Sequence, residues 1–76
     1  MKIKLKAQIV REYIAKNNLS YRKFAHILGY DSGQLSNWIN GTRTIGWRAR
    51  EIMQKKMKLS WDELFFIEEE LGGGVE

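Results

Sequence analysis

The sequence predicts an all-α protein, a compact bundle of about five short helices. Three observations carry that expectation. Proline is absent, which permits helices and is awkward for tight β-rich folds. Apolar residues recur at helical spacing in one segment after another. Most of these segments are also bounded by a capping residue at the start or by Gly or Asn at the end.

Met1 to Lys6 alternates lysine with Ile3 and Leu5, a pattern that suits a short edge strand or a frayed helix start. From Ala7 to Asn17, Val10, Tyr13 and Ile14 mark a first helix that closes at Asn17-Asn18. Ser20 caps a second helix, Tyr21 to Leu28, and Gly29 stops it. Asp31 or Ser32 caps a third, which runs to about Ile39 and ends at Asn40-Gly41. Thr42 to Ile45 reads as a loop. A fourth helix fits Trp47 to Met57 through Ala49, Ile52, Met53 and Met57. Ser60 caps a fifth, Trp61 to Leu71, before Gly72-Gly73-Gly74. Residues 1–71 thus form one expected domain, and 72–76 a flexible Gly-rich tail.

Composition narrows the function. The 76 residues hold no cysteine and one histidine, His26, so no disulfide framework or metal site is expected. No apolar run approaches the roughly 20 residues of a membrane span, and a cytoplasmic protein is the plain expectation. The net charge of +4 is unevenly spread. All thirteen Lys and Arg residues lie between Lys2 and Lys58, against Glu12, Asp31 and Glu51, which makes that part +10. The remainder carries six acids and no base, −6. A basic body with an acidic end favours a polyanionic partner over simple solvation of helix faces. Glu68-Glu69-Glu70 has no clustered base or ligand histidine beside it. It reads as a solvated helix end, and no enzyme, cofactor or small-molecule ligand is expected.

Tyr21 to Ile39 is the informative stretch. Two short helices joined at a steep angle by about three residues need a small side chain at their crossing, which Ala25 supplies. The turn needs a left-handed residue, for which Gly29 is the least costly choice. The inward faces need apolar groups, and Phe24, Leu28, Tyr30, Leu35 and Trp38 fall at the required spacing. The outward face of the third helix then reads Ser32, Gly33, Ser36, Asn37.

This arrangement resembles the Cro-like and λ-repressor-like helix-turn-helix regulators of phages and bacteria. The family pattern of apolar, small and glycine positions matches Phe24, Ala25, Leu28, Gly29, Tyr30, Leu35 and Trp38. "NLS", "LSNWINGTR" and "LSWDELF" are similar to family wording, as are Val10-Arg11 and Tyr13, so the resemblance covers about Val10 to Phe65. Three departures stand out. Tyr21 replaces a frequent glutamine. Ile14 and Ile39 occupy positions that often hold an arginine–glutamate pair. Gly46 replaces a proline, with about one extra residue before helix four.

The resemblance implies a repressor-type transcription regulator that binds a double-stranded DNA operator, acting as a homodimer. Its third helix would enter the major groove. Carried over by position, Ser32, Gly33, Gln34, Ser36 and Asn37 would meet bases, with Asn37 suited to an adenine edge. Ser20, Tyr21, Arg22, Asn40, Thr42, Arg43 and Thr44 would hold phosphates. Lys2, Lys4, Lys6, Arg48 and Arg50 would add long-range attraction. Phe66 and Ile67, partly off the apolar face of the fifth helix, are candidates for the dimer contact or else part of a wide buried face; Trp47 reads either as core or as exposed. The alternative class is a protein-interaction module, such as the antitoxin of a toxin–antitoxin pair. Only Gly72 to Glu76 would be left to hold a toxin, which disfavours it.

Overall fold

The computed structural model describes residues 2–68. Strand β1 (Lys2–Leu5) precedes four helices, α1 (Ala7–Lys16), α2 (Tyr21–Leu28), α3 (Ser32–Asn40) and α4 (Trp47–Met57). A single turn, α5 (Trp61–Leu64), leads into strand β2 (Phe65–Glu68). The first four helices stand within about a residue of where the sequence places them, α2 and α3 on side-chain caps and α1 and α4 without one.

Local backbone chemistry explains the helix ends. Ser20 Oγ accepts from the Lys23 amide at 3.0 Å to start α2, and Asp31 Oδ1 accepts from the Gln34 amide at 2.8 Å to start α3. Gly29 and Gly41 then take φ of +88° and +77°, the left-handed conformation that costs glycine least. Each is followed by the same pair of closing bonds. The Gly29 and Tyr30 amides donate to His26 and Ala25 carbonyls, and the Gly41 and Thr42 amides to Trp38 and Asn37. Asn18 and Lys58 end α1 and α4 with positive φ as well.

The end of the chain corrects the all-α expectation: the protein is mostly helical with a small two-stranded sheet. The fifth helix, expected to reach Leu71, stops at Leu64. Ser60 and Glu63 form a reciprocal capping box, but at Phe65 the backbone turns extended, with φ −130° and ψ 162°. Phe65-Phe66-Ile67 is aromatic and β-branched, and β1 offers it an edge. The strands pair antiparallel, Leu5 opposite Phe65, Lys4 opposite Phe66, Ile3 opposite Ile67 and Lys2 opposite Glu68. Of the two options for the start of the chain, Lys2–Leu5 takes that of the edge strand. Leu71 and the Gly-rich tail lie outside the described residues.

One core joins all the elements. Phe24, Leu35, Met53, Leu64, Phe65, Val10 and Ile45 are essentially inaccessible to solvent. Around them pack Ala25, Leu28, Trp38, Ala49 and Met57, with half-buried Tyr30 edge-on to Trp38 at 5.0 Å between ring centres. Ile14 and Ile39 are both buried in this core, so apolar packing stands at the two positions where the resemblance would place an ion pair. Half-buried Trp61 packs against this core and lies 5.6 Å from Phe65 between ring centres. Among the described residues no helix is long and apolar enough to cross a membrane.

Candidate nucleic-acid interface

Burial of Phe24, Ala25 and Leu28 on α2 against Leu35, Trp38 and Ile39 on α3 leaves one face of α3 outward. Gly33 and Gln34 are exposed there, and Ser32, Ser36 and Asn37 are half-exposed. All five candidate base-facing residues thus lie at the surface of one helix. A β-carbon added at Gly33 would lie 3.2 Å from Asp31 Oδ1, so the bare glycine leaves the cap room to close.

Two depressions flank α3. The first, about 300 Å³, lies between α3 and the following loop and is lined by Gln34, Asn37, Trp38, Arg43, Thr44 and Gly46. It brings two candidate base-facing residues beside two candidate phosphate-facing ones. The second, about 630 Å³, is lined by Arg22, His26, Gly29, Tyr30, Asp31 and Ser32, where α2 meets the start of α3. Ser20, Tyr21, Asn40 and Thr42, the remaining phosphate candidates, are all exposed.

Hydrogen bonds inside this surface sort the candidates further. Asn40 Nδ2 donates to Ser36 Oγ at 3.3 Å, which leaves the Ser36 proton and the Asn40 carbonyl oxygen free to face outward. The Thr42 hydroxyl donates toward both the Asn37 backbone oxygen at 3.2 Å and its Oδ1 at 3.0 Å. Ser20 uses an oxygen lone pair for its cap and keeps its proton.

Several basic residues have a second occupation. Lys4, with its side chain 11% exposed, donates its ammonium to the Gly41 carbonyl at the C-terminus of α3 and lies 3.8 Å from Glu68. Lys6 donates to the Asp62 carbonyl at 2.6 Å and Arg50 to the Ile45 carbonyl at 2.7 Å. These three hold the fold as well as carry charge, a role the sequence did not disclose. Ile45 is also tied to β1, its amide donating to the Ile3 carbonyl at 3.3 Å. The loop after α3 is therefore anchored at both ends to the same strand. Trp47 is exposed (62%), with the Arg48 guanidinium 5.3 Å from its ring centre, which settles its placement outside the core.

Phe66 and Ile67 are exposed too, at 41% and 49%, but on β2 rather than on a helix. Among the described residues no strand pairs with the outer edge of β2.

No curated protein and no solved structure matches the chain. The model of one family, described as a helix-turn-helix domain, matches residues 5–51, from the last residue of β1 into α4 and across α2, its three-residue turn and α3. More than half of the sequence is covered, and the chain belongs to this helix-turn-helix domain family.

Proposed function

We propose that the protein is a sequence-specific DNA-binding transcription regulator of the Cro-like, λ-repressor-like type, a repressor that occupies an operator as a homodimer. The observation that carries this reading is the exposed polar face of α3, flanked by depressions that bring in Arg22 on one side and Arg43 and Thr44 on the other. A helix with short polar side chains between cationic shoulders matches a major groove between its phosphate rims. Ser32, Gly33, Gln34, Ser36 and Asn37 meet base edges. Ser20, Tyr21, Arg22, Asn40, Arg43 and Thr44 hold phosphates, and the free amides at the start of α2 add to this grip.

The dimer forms by addition of one β2 to another. Lys6 and Leu64 are a hydrogen-bonded pair at the end of the sheet, the Lys6 amide donating at 2.7 Å. Alternation along an antiparallel ladder then turns the Ile67 amide and carbonyl away from β1. An unpaired edge carrying Phe66 and Ile67 is a template for another strand, and antiparallel pairing of two identical edges is self-complementary, as two-fold symmetry requires. To read successive turns of one duplex face, such a dimer must hold its two copies of α3 roughly 34 Å apart.

Selection of duplexes from a random pool, followed by binding of two variants, tests the reading. Asn37→Ala should cost about 1–3 kcal/mol on the selected site and relax one base position. Arg43→Ala should weaken all sequences alike and lower the salt slope by about 1 per lost contact. Equal loss on every sequence for Asn37→Ala would show that α3 is not the reader. A parent protein whose affinity barely responds to salt would remove the DNA reading altogether.

A further inference from the structure

The hydroxyl of Thr42 sits in the segment expected to grip phosphate, yet its one proton is turned inward. Asn37 O and Asn37 Oδ1 lie 3.2 and 3.0 Å from Thr42 Oγ1, and both are pure acceptors. A phosphate oxygen is an acceptor as well. With its proton committed to Asn37, Thr42 can offer an anion only lone pairs. Among the described residues no other hydrogen bond holds the Asn37 carboxamide, whose terminal torsion is intrinsically broad and two-fold.

We propose that Thr42 is a positioning residue for base recognition: its hydroxyl fixes the orientation of the Asn37 carboxamide, and so sets base preference at a pair that Thr42 itself does not touch. This rests on the reading of α3 as the base-contacting helix. Thr42 is well placed for the role because the turn at Gly41 brings it back over its own helix. Its amide donates to the Asn37 carbonyl at 3.0 Å, so backbone and side chain of Thr42 converge on the same residue. With Oδ1 held by Thr42, the carboxamide has already given up the rotation that docking on a base edge would otherwise freeze. A carboxamide held in one orientation also cannot exchange its donor and acceptor ends to suit another base, so the wrong pair is left with unmatched polar groups.

Two substitutions separate orientation from packing. Thr42→Val keeps the shape and the backbone bond and deletes the hydroxyl, while Thr42→Ser keeps the hydroxyl. In the free protein, NMR couplings and side-chain amide resonances of Asn37 should report one conformer for the parent and Thr42→Ser, and averaging for Thr42→Val. On duplexes selected from a random pool and their single-base variants, Thr42→Val should reduce discrimination at the Asn37-dependent pair roughly tenfold. Affinity for random DNA and the salt slope should stay unchanged, and Thr42→Ser should match the parent. In an Asn37→Ala background, Thr42→Val should have no further effect on base preference. Uniform loss on all sequences with a shallower salt slope would make Thr42 a phosphate contact and overturn the proposal. An ordered Asn37 in Thr42→Val would overturn it without touching the DNA reading, and an unchanged base preference for that variant would do the same. Failure of the parent to bind any duplex with sequence preference would instead defeat the reading beneath it.

Discussion

Lys4 was expected to act as a diffuse positive charge, and its placement gives it a measurable stake in folding. Its ammonium meets the Gly41 carbonyl at the negative end of α3, with only 11% of the side chain exposed. A hydrogen bond from a charged donor contributes about 1.5–3 kcal/mol. The attraction of a cation to a helix C-terminus belongs to the same contact and is not added again. Glu68, half-exposed and 3.8 Å away, adds no more than about 1 kcal/mol after solvent screening. Lys4→Met keeps the aliphatic stem and removes the donor, so it should cost about 1.5–3 kcal/mol. For a domain of this size each kcal/mol is worth about 4–8 °C, and Tm should fall by roughly 6–24 °C. Urea and thermal unfolding of Lys4→Met beside Glu68→Gln give the comparison, the latter losing less than about 1 kcal/mol. Were Lys4→Met to unfold within about 0.5 kcal/mol of the parent, the clasp on Gly41 would carry no weight. A lower salt slope for DNA would then be the only signature left to Lys4.

Three further outcomes are expected. Leu35→Ala, at a fully buried position between the two central helices, should cost about 2–5 kcal/mol by denaturant unfolding, a large share of the stability of a small domain. Glu63 titrates below the ordinary glutamate range, first because the Ser60 backbone amide donates to it and then because the Ser60 hydroxyl contributes, with Lys6 adding a weaker attraction. A depressed carboxylate stabilises the fold at neutral pH, and that contribution is lost as pH falls from the ordinary glutamate range through the lowered folded value. Unfolding of Glu63→Gln measured from pH 7 to pH 3 should accordingly show a flatter acid limb than the parent. Phe66→Glu should leave the monomer folded and weaken both self-association and operator binding, as read by sedimentation and gel shift; an unchanged dimer would move the interface off β2.

The four main helices were legible because their signals are local. Ser20, Asp31, Gly29 and Gly41 act within one or two turns of themselves, so spacing alone locates α2 and α3. The surface of α3 follows from the same periodicity, since burying Leu35, Trp38 and Ile39 leaves Ser32, Gly33, Ser36 and Asn37 outside. The chain end was not legible. Phe65-Phe66-Ile67 is a short apolar run that suits a buried helix or a strand equally. What decides it is β1, some sixty residues earlier, together with the Lys6 amide donating to Leu64. The contact of Lys4 was equally hidden, because nothing near it in sequence names Gly41 as the partner; Arg50 and Thr42 reach only five residues back, but spacing alone does not say that Ile45 and Asn37 receive them.

The seam between β1 and β2 also orders the events of folding. Contacts among α1, α2 and α3 close loops of ten to thirty residues, whereas pairing Leu5 with Phe65 closes one of about sixty, at an entropic cost near 3–4 kcal/mol. Alone, two strands of four residues cannot meet that cost. The helices must first gather the ends, which makes the seam late to form and early to part. Because Gly41 and Ile45 are moored to β1, each brief parting of the seam also slackens the loop between them. The rigidity of the stretch after α3 is thus set in part by breathing at a junction built from opposite ends of the described chain, in addition to the bonds made at Thr42 and Ile45.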